Sequence, residues 1–403
     1  MSRADRSHFR VSEVSPSSRE THLDGLRGLA ASVVVLCHFV SAFLPHAAFG
    51  DLSKAHYSWE PWLLKTPLGI LIAGHFAVCL FFLMSGYVLA APMLARRAPL
   101  ADVVAAIVKR PFRLGGVVLG TTLVSWVIWS FAGYRNVEAA ALSGSGWFDY
   151  FWSDGVPSLS KLMQDMLLSP FGTASKLNQP MWTIDRELWG SWLVFALLLL
   201  RPAPLRWFFI AAFTLWYARN LTQCFLIGLI LAEIHQLLAV RGRHPVMPNW
   251  LAVVLGVVAA VCGSFPKYLD EAGLSQTMFA QMPRLPWLGG SWSMLGALCL
   301  MLVVLWHPLP RHFLNRAWVQ FLGRVSYALY GVHFLILGSL AAWTYTLAAP
   351  ALGRGTSTLL TLVSLLAGTF VGALIIDRCV DRPAIVLAQY IGRRTKALCS
   401  RFF

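Results

Sequence analysis

Apolar stretches of membrane-spanning length recur along almost the whole chain, near residues 26–44, 68–91, 112–133, 182–200, 220–239, 289–306, 324–349 and 356–379. A helix rises about 1.5 Å per residue, so about 20 apolar residues cross a hydrocarbon layer of about 30 Å. Lipid offers the backbone no hydrogen-bond partner, and runs of this length meet that constraint as helices. Two shorter runs, near 204–218 and 249–264, bring the expected number of spans to ten. The expected fold is therefore all-α: a polytopic membrane helix bundle without an internal repeat.

Composition agrees. Of 403 residues, 57% are hydrophobic and 13% charged, about half the charged share of a soluble domain. The net charge of +15 suggests nucleic acid at first sight. The distribution of that charge points elsewhere. With the N-terminus in the cytoplasm, 23 Lys and Arg fall on the inner side and 9 on the outer, and Arg186 lies inside the fourth span. That bias follows the positive-inside rule. It supports ten spans, both termini cytoplasmic, membrane lipid as a partner and no nucleic acid. Dropping one marginal span would invert everything after it and spoil the bias. Residues 1–21 are polar and lack the apolar core of a signal peptide. They are expected to form a disordered cytoplasmic tail, with a membrane domain over 22–395 and a second tail over 396–403. The seven cysteines show neither CxxC nor regular spacing, so neither a disulfide framework nor a metal site is expected.

Ionisable groups inside such runs mark candidate function, because burying them is costly. Arg27 and His38 lie eleven residues apart in the first run. At about 100° per residue that puts them on one helical stripe, about 16 Å apart. The second run reads Gly74-His75-Phe76-Ala77-Val78-Cys79-Leu80-Phe81-Phe82-Leu83-Met84-Ser85-Gly86, with His75 and the small Ser85 and Gly86. Arg110 and Arg113 flank Pro111, which is read as the first turn of the third span. Guanidinium groups beside a helix N-terminus suit phosphate. The fourth span opens Met181-Trp182-Thr183-Ile184-Asp185-Arg186-Glu187, and the ninth reads Ser326-Tyr327-Ala328-Leu329-Tyr330-Gly331-Val332-His333. In the loop over 134–181, Leu159, Leu162, Met163, Met166 and Leu167 have the spacing of an amphipathic helix, after the interface-type aromatics Trp147 to Trp152. The loop is read either as a lid or as a plain surface helix. Glu233 and His235 are expected to snorkel at the inner end of the sixth span.

The run Leu23-Asp24-Gly25-Leu26-Arg27-Gly28 with His38 resembles the opening signature of the membrane acyltransferase-3 family. Phe81-Phe82-x-x-Ser85-Gly86, Arg110-x-x-Arg113, Trp182 with Glu187, and Ser326-Tyr327-x-x-Tyr330-x-x-His333 are similar to its later motifs, in order. Asp381-x-Pro383 stands where the family commonly has Glu-x-Pro. The resemblance implies transfer of an acyl group, usually acetyl, from acyl-CoA to a hydroxyl of a surface or exported polysaccharide or its lipid-linked precursor, in a bacterial inner membrane. It implies a catalytic set of His38, Glu187 and Arg27. Coenzyme contacts would come from Arg27, Arg110, Arg113 and Ser85, and acceptor contacts from His75, Trp182, Tyr327 and His333. Helical rise puts His38 about 18 Å from the inner face and Glu187 about 8 Å from the outer, nearly one level in a layer of about 30 Å. Glu187 is then expected to orient His38 or to be the base itself. The pantetheine arm is expected to thread past Gly28, Ser85 and Gly86. Two rival readings stand: a transporter or flippase coupled through Glu187 and His38, and a non-catalytic partner of a polysaccharide synthase.

Overall fold

The computed structural model describes residues 20–50, 54–172, 175–218, 220–243, 245–283 and 292–401. Nearly all of the expected N-terminal tail lies outside the described residues, which contain helices and no strands. In chain order the helices are α1 (Thr21–Phe43), α2 (Pro45–Phe49), α3 (Glu60–Lys65), α4 (Gly74–Ala95), α5 (Leu100–Phe131), α6 (Asn136–Ser143), α7 (Leu159–Leu168), α8 (Trp182–Leu199), α9 (Ala203–Trp216), α10 (Thr222–Val240), α11 (Asn249–Gly263), α12 (Glu271–Ser275), α13 (Trp292–Trp306), α14 (Pro308–Leu314), α15 (Ala317–Ile336), α16 (Ala342–Ile376) and α17 (Arg382–Cys399). Each of the ten apolar runs falls on one or more of these helices. Among the described residues, α1, α4, α5, α10 and the continuous Ala317–Cys399 are long and apolar enough to span, and the bent pair α13–α14 adds a sixth candidate. Helices α9 and α11 are apolar but shorter. Ala317–Cys399 is broken by π-helical turns at Leu337–Ala341 and Asp377–Asp381, and by a kink at Gly353 (φ 71°). Only glycine adopts that backbone without strain.

Local sequence sets the helix ends. Helix α1 stops at Phe43 because Pro45 bars its predecessor from helical angles, and Leu44 sits at φ −134°. Helix α5 begins after Pro99, with Asp102 in its first turn. Pro111 is therefore inside α5, not in its first turn as the sequence suggested. Arg110 and Arg113 lie ten or more residues in, and the helix dipole cannot contribute to an anion site there.

Helix packing makes a closed ring: α1 contacts α4, α4 contacts α8, α8 contacts α5, α5 contacts α15, and α15 returns to α1. Helices α10 and α13 back α4, while α16 and α17 back α15 and α5. Small residues permit the closest approaches. A Cβ on Gly28 would overlap the backbone of Leu322 and Gly323, and one on Gly86 the backbone of Phe225. Both glycines are thus filled by neighbouring helices, and neither lines a passage for a substrate. The crossing also sets direction. Gly28 meets Gly323, and ten residues further along each helix His38 meets His333. Equal offsets require α1 and α15 to run parallel, in register over about 15 Å.

Candidate active site

Residues of the ring contribute to the walls of two cavities. The larger, about 630 Å³, is lined by His38, Cys37, His75, Trp147, Tyr150, Gln179, Trp182, Lys267 and Tyr268, among others. The smaller, about 270 Å³, is lined by Arg27, Ser85, Arg110, Arg113, Glu187 and Tyr327 together with apolar residues of the same five helices. Val78 and Tyr330 border both. Tyr330 is fixed as a partition: its hydroxyl donates to the Pro180 carbonyl at 3.0 Å and accepts from Thr183 Oγ1 at 3.1 Å.

His38 belongs to a hydrogen-bonded chain. Its Nδ1 lies 2.8 Å from Nε2 of His333, and His333 Nδ1 lies 2.8 Å from the Tyr330 carbonyl oxygen. A carbonyl only accepts, so His333 Nδ1 carries the proton. The neutral His333 ring then offers a lone pair at Nε2, and His38 Nδ1–H donates to it. This leaves the lone pair of His38 on Nε2. The two rings lie edge to edge and nearly coplanar, with centroids 5.1 Å apart and planes 4° from parallel, as the in-line hydrogen bond requires. Trp147 packs near-parallel to the His38 ring at 5.6 Å, and Phe334 meets it edge-on. His333 is buried and takes no place in the cavity wall. The sequence assigned it to the acceptor; the structure makes it the partner of His38.

The aromatic turn that carries Trp147 is tied to α1. Ser143 and Ser145 donate to the carbonyls of Ala42 and Ser41 at 2.7 and 2.6 Å, and Asn136 holds the Phe148 carbonyl at 2.9 Å. Phe148, Phe151 and Trp152 are buried, so they do not form the membrane-interface group expected of them. Covering the cavity falls to this turn. Helix α7 turns Leu159, Met163 and Leu167 outward and borders neither cavity.

Glu187 is not beside His38. It lies in the smaller cavity, where its carboxylate pairs with Arg110, whose Nε also donates to Ser191 at 2.9 Å. The depth estimate took the start of α8 as one membrane face, but α8 starts within the helix bundle. The non-helical segment before it enters the bundle, where Asn178 donates to Thr121 Oγ1 at 3.0 Å and to the Gly331 carbonyl at 2.9 Å. Irregular backbone is tolerated at depth when protein satisfies it in this way. Helix α8 therefore starts well inside, with Trp182 at the larger cavity and Glu187 about 1.5 turns further in, at the smaller.

The other arginines are likewise held by acids. Arg113 pairs with Asp381 at 2.5 Å and lies over the Tyr327 ring at 5.4 Å, and Arg27 pairs with Asp24 at 3.5 Å. Tyr327 donates to the Leu114 carbonyl at 2.5 Å. Asp381 reaches Arg113 from the second π turn, which ties the long C-terminal helix to α5. Elsewhere, Glu233 and His235 do not snorkel. Glu233 is buried against Arg206 at 2.5 Å, and His235 contacts the Tyr87 hydroxyl at 2.5 Å.

Of the ten site residues named from the sequence, Arg27, Ser85, Arg110, Arg113, Glu187 and Tyr327 share the smaller cavity, while His38, His75 and Trp182 share the larger. Sequence reasoning missed Tyr330 as the partition and Lys267 as the cation of the larger cavity.

The fold and this pair of cavities define a membrane-embedded helix bundle with an imidazole pair poised at one chamber and arginines at the next. A family model described as an acyltransferase domain matches residues 21–378, and the chain belongs to that family, acyltransferase-3. No curated protein and no solved structure matches the chain. The protein is a membrane acyltransferase.

Proposed function

We propose that this enzyme moves an acyl group, acetyl first among candidates, from acyl-CoA to a hydroxyl of a surface or exported polysaccharide or its lipid-linked precursor, in a bacterial inner membrane. The observation that carries this reading is the His38–His333–Tyr330 chain, which leaves Nε2 of the cavity-lining His38 unprotonated, while Val78 and Tyr330 stand between that cavity and the one with three arginines.

The smaller cavity is the donor end. Arg110, at 16% side-chain exposure, is locked by Glu187 and shapes the site; Arg27 and Arg113, at 34% and 31%, keep N–H groups free for the coenzyme phosphates. The thioester then meets the acceptor at the Val78–Tyr330 partition. The acceptor hydroxyl gives its proton to His38 Nε2 as its oxygen attacks the thioester carbonyl. His333 holds the resulting imidazolium through Nδ1–H. The C–S bond breaks, the ester remains on the acceptor, and the coenzyme thiolate recovers the proton from His38. Glu187, paired in the other cavity, positions Arg110 in this scheme and is not the base. The transporter reading loses its coupling pair, since Glu187 and His38 face different cavities.

The test uses inner-membrane vesicles of the producing cell, with and without the protein, given acetyl-labelled acetyl-CoA. Label should enter polysaccharide or its lipid-linked precursor only with the protein, and alkaline hydroxylamine should release it as expected of an ester. Equal labelling in both vesicle samples would contradict the proposal.

A further inference from the structure

We propose that the acceptor carries an oxyanion, a sugar carboxylate or a phosphate, that pairs with Lys267 in the larger cavity. This rests on the reading of that cavity as the acceptor end. Among the described residues its wall contains no aspartate or glutamate, and Lys267 is its one lysine or arginine. Lys267 is half-buried, and its Nζ lies 3.4 Å from Nε2 of His75. Among the described residues no carboxylate pairs with it. The acid nearest in sequence, Asp270, is engaged in capping α12, accepting from Gly273 N at 2.7 Å. Burial pulls the Lys267 ammonium below its ordinary pKa.

The smaller cavity shows the opposite arrangement, with a carboxylate on each of its three arginines. A half-buried cation without a carboxylate partner costs free energy that an anionic ligand relieves on binding. The surroundings suit a glycan around that anion. Tyr150, Tyr268 and Trp182 stand exposed at the cavity and offer aromatic surface with polar ends. The side chains of Gln179, Tyr150 and Tyr268 make no hydrogen bond among the described residues, so their polar groups are free for sugar hydroxyls. A neutral glycan would use these groups and leave Lys267 unmatched.

The test is calorimetric binding to the full-length protein purified in a neutral detergent, so that no lipid phosphate competes. Three probes are compared: a glucuronate-containing tetrasaccharide, the same glycan with its carboxylates reduced to alcohols, and a glucosyl phosphate diester of a short polyprenol. Wild type should bind at least one charged probe about ten-fold more tightly than the neutral glycan. K267R should keep that preference and K267Q should lose it. Whichever charged probe binds more tightly identifies the source of the oxyanion. Equal affinity for charged and neutral probes, no binding of either charged probe, or an unchanged preference in K267Q would overturn the proposal. Acetyl-CoA binding, measured in the same samples, reports on the other cavity. K267Q should retain it, which also shows that the variant is folded. A folded wild type that binds no acetyl-CoA would instead sink the acyl-CoA reading, whatever the glycan results.

Discussion

The two cavities share one ring of helices and two wall residues, yet they handle charge in opposite ways. In the smaller, every guanidinium is clasped by a carboxylate from another turn or another helix: Arg27 by Asp24, Arg110 by Glu187, Arg113 by Asp381. In the larger, the polar centre is the His38 imidazole, bonded through the buried His333 to a backbone carbonyl, under a cover of aromatic rings. The difference fits the tasks proposed for each. A group that must always be positive is held in place by a permanent partner, which fixes its donors without consuming them all. A group that must take up and return a proton is kept neutral and close to an acceptor that shares the charge when it arrives.

The largest effect that would break this division is at His38. His38→Ala should lower transfer about 1000-fold, the scale of a lost general base, with acetyl-CoA affinity unchanged. Next comes the partition. Val78→Phe should narrow the junction and slow transfer about 100-fold through misplacement of the two substrates, while each still binds alone. His333 sharpens the account of the larger cavity. His333→Ala should reduce kcat about 30-fold with KM little changed, and His333→Gln, whose amide oxygen still accepts from His38 Nδ1–H, should recover most of that loss. A glutamine variant as poor as the alanine variant would remove the positioning role. The smallest effect is expected at Glu187. Glu187→Gln should raise the half-saturating acetyl-CoA concentration about five-fold, because Arg110 keeps a hydrogen bond but loses its ionic partner. A collapse of kcat on the scale of His38→Ala would return the base role to Glu187.

Most of the site was legible because polar residues stand out against apolar runs. Arg27, His38, Ser85, Glu187 and Tyr327 are conspicuous for that reason, and the helices that carry them, with α5, make the ring. What the sequence hid was depth and adjacency. Depth counted from the end of an apolar run misplaced Glu187, since α8 starts inside the bundle behind Asn178 and Pro180. Adjacency of His38 and His333 spans 295 residues, and no local pattern reveals it. One signal was present: Gly28 and Gly323 each precede a histidine by ten residues, as expected for two parallel helices crossing at glycines. Lys267 was invisible for another reason. In the charge tally it was one more outer-loop cation, and only the structure shows that it faces a cavity without acids among the described residues.

The central claim is that the donor cavity and the proton-transfer cavity are separable. The most direct test is equilibrium binding of acetyl-CoA to the purified protein in detergent, comparing wild type, His38→Ala and the Arg27→Ala/Arg113→Ala double variant. The account predicts wild-type affinity for His38→Ala and a loss of about 100-fold for the double variant. Impaired binding by a folded His38→Ala protein, or wild-type binding by the double variant, would contradict it.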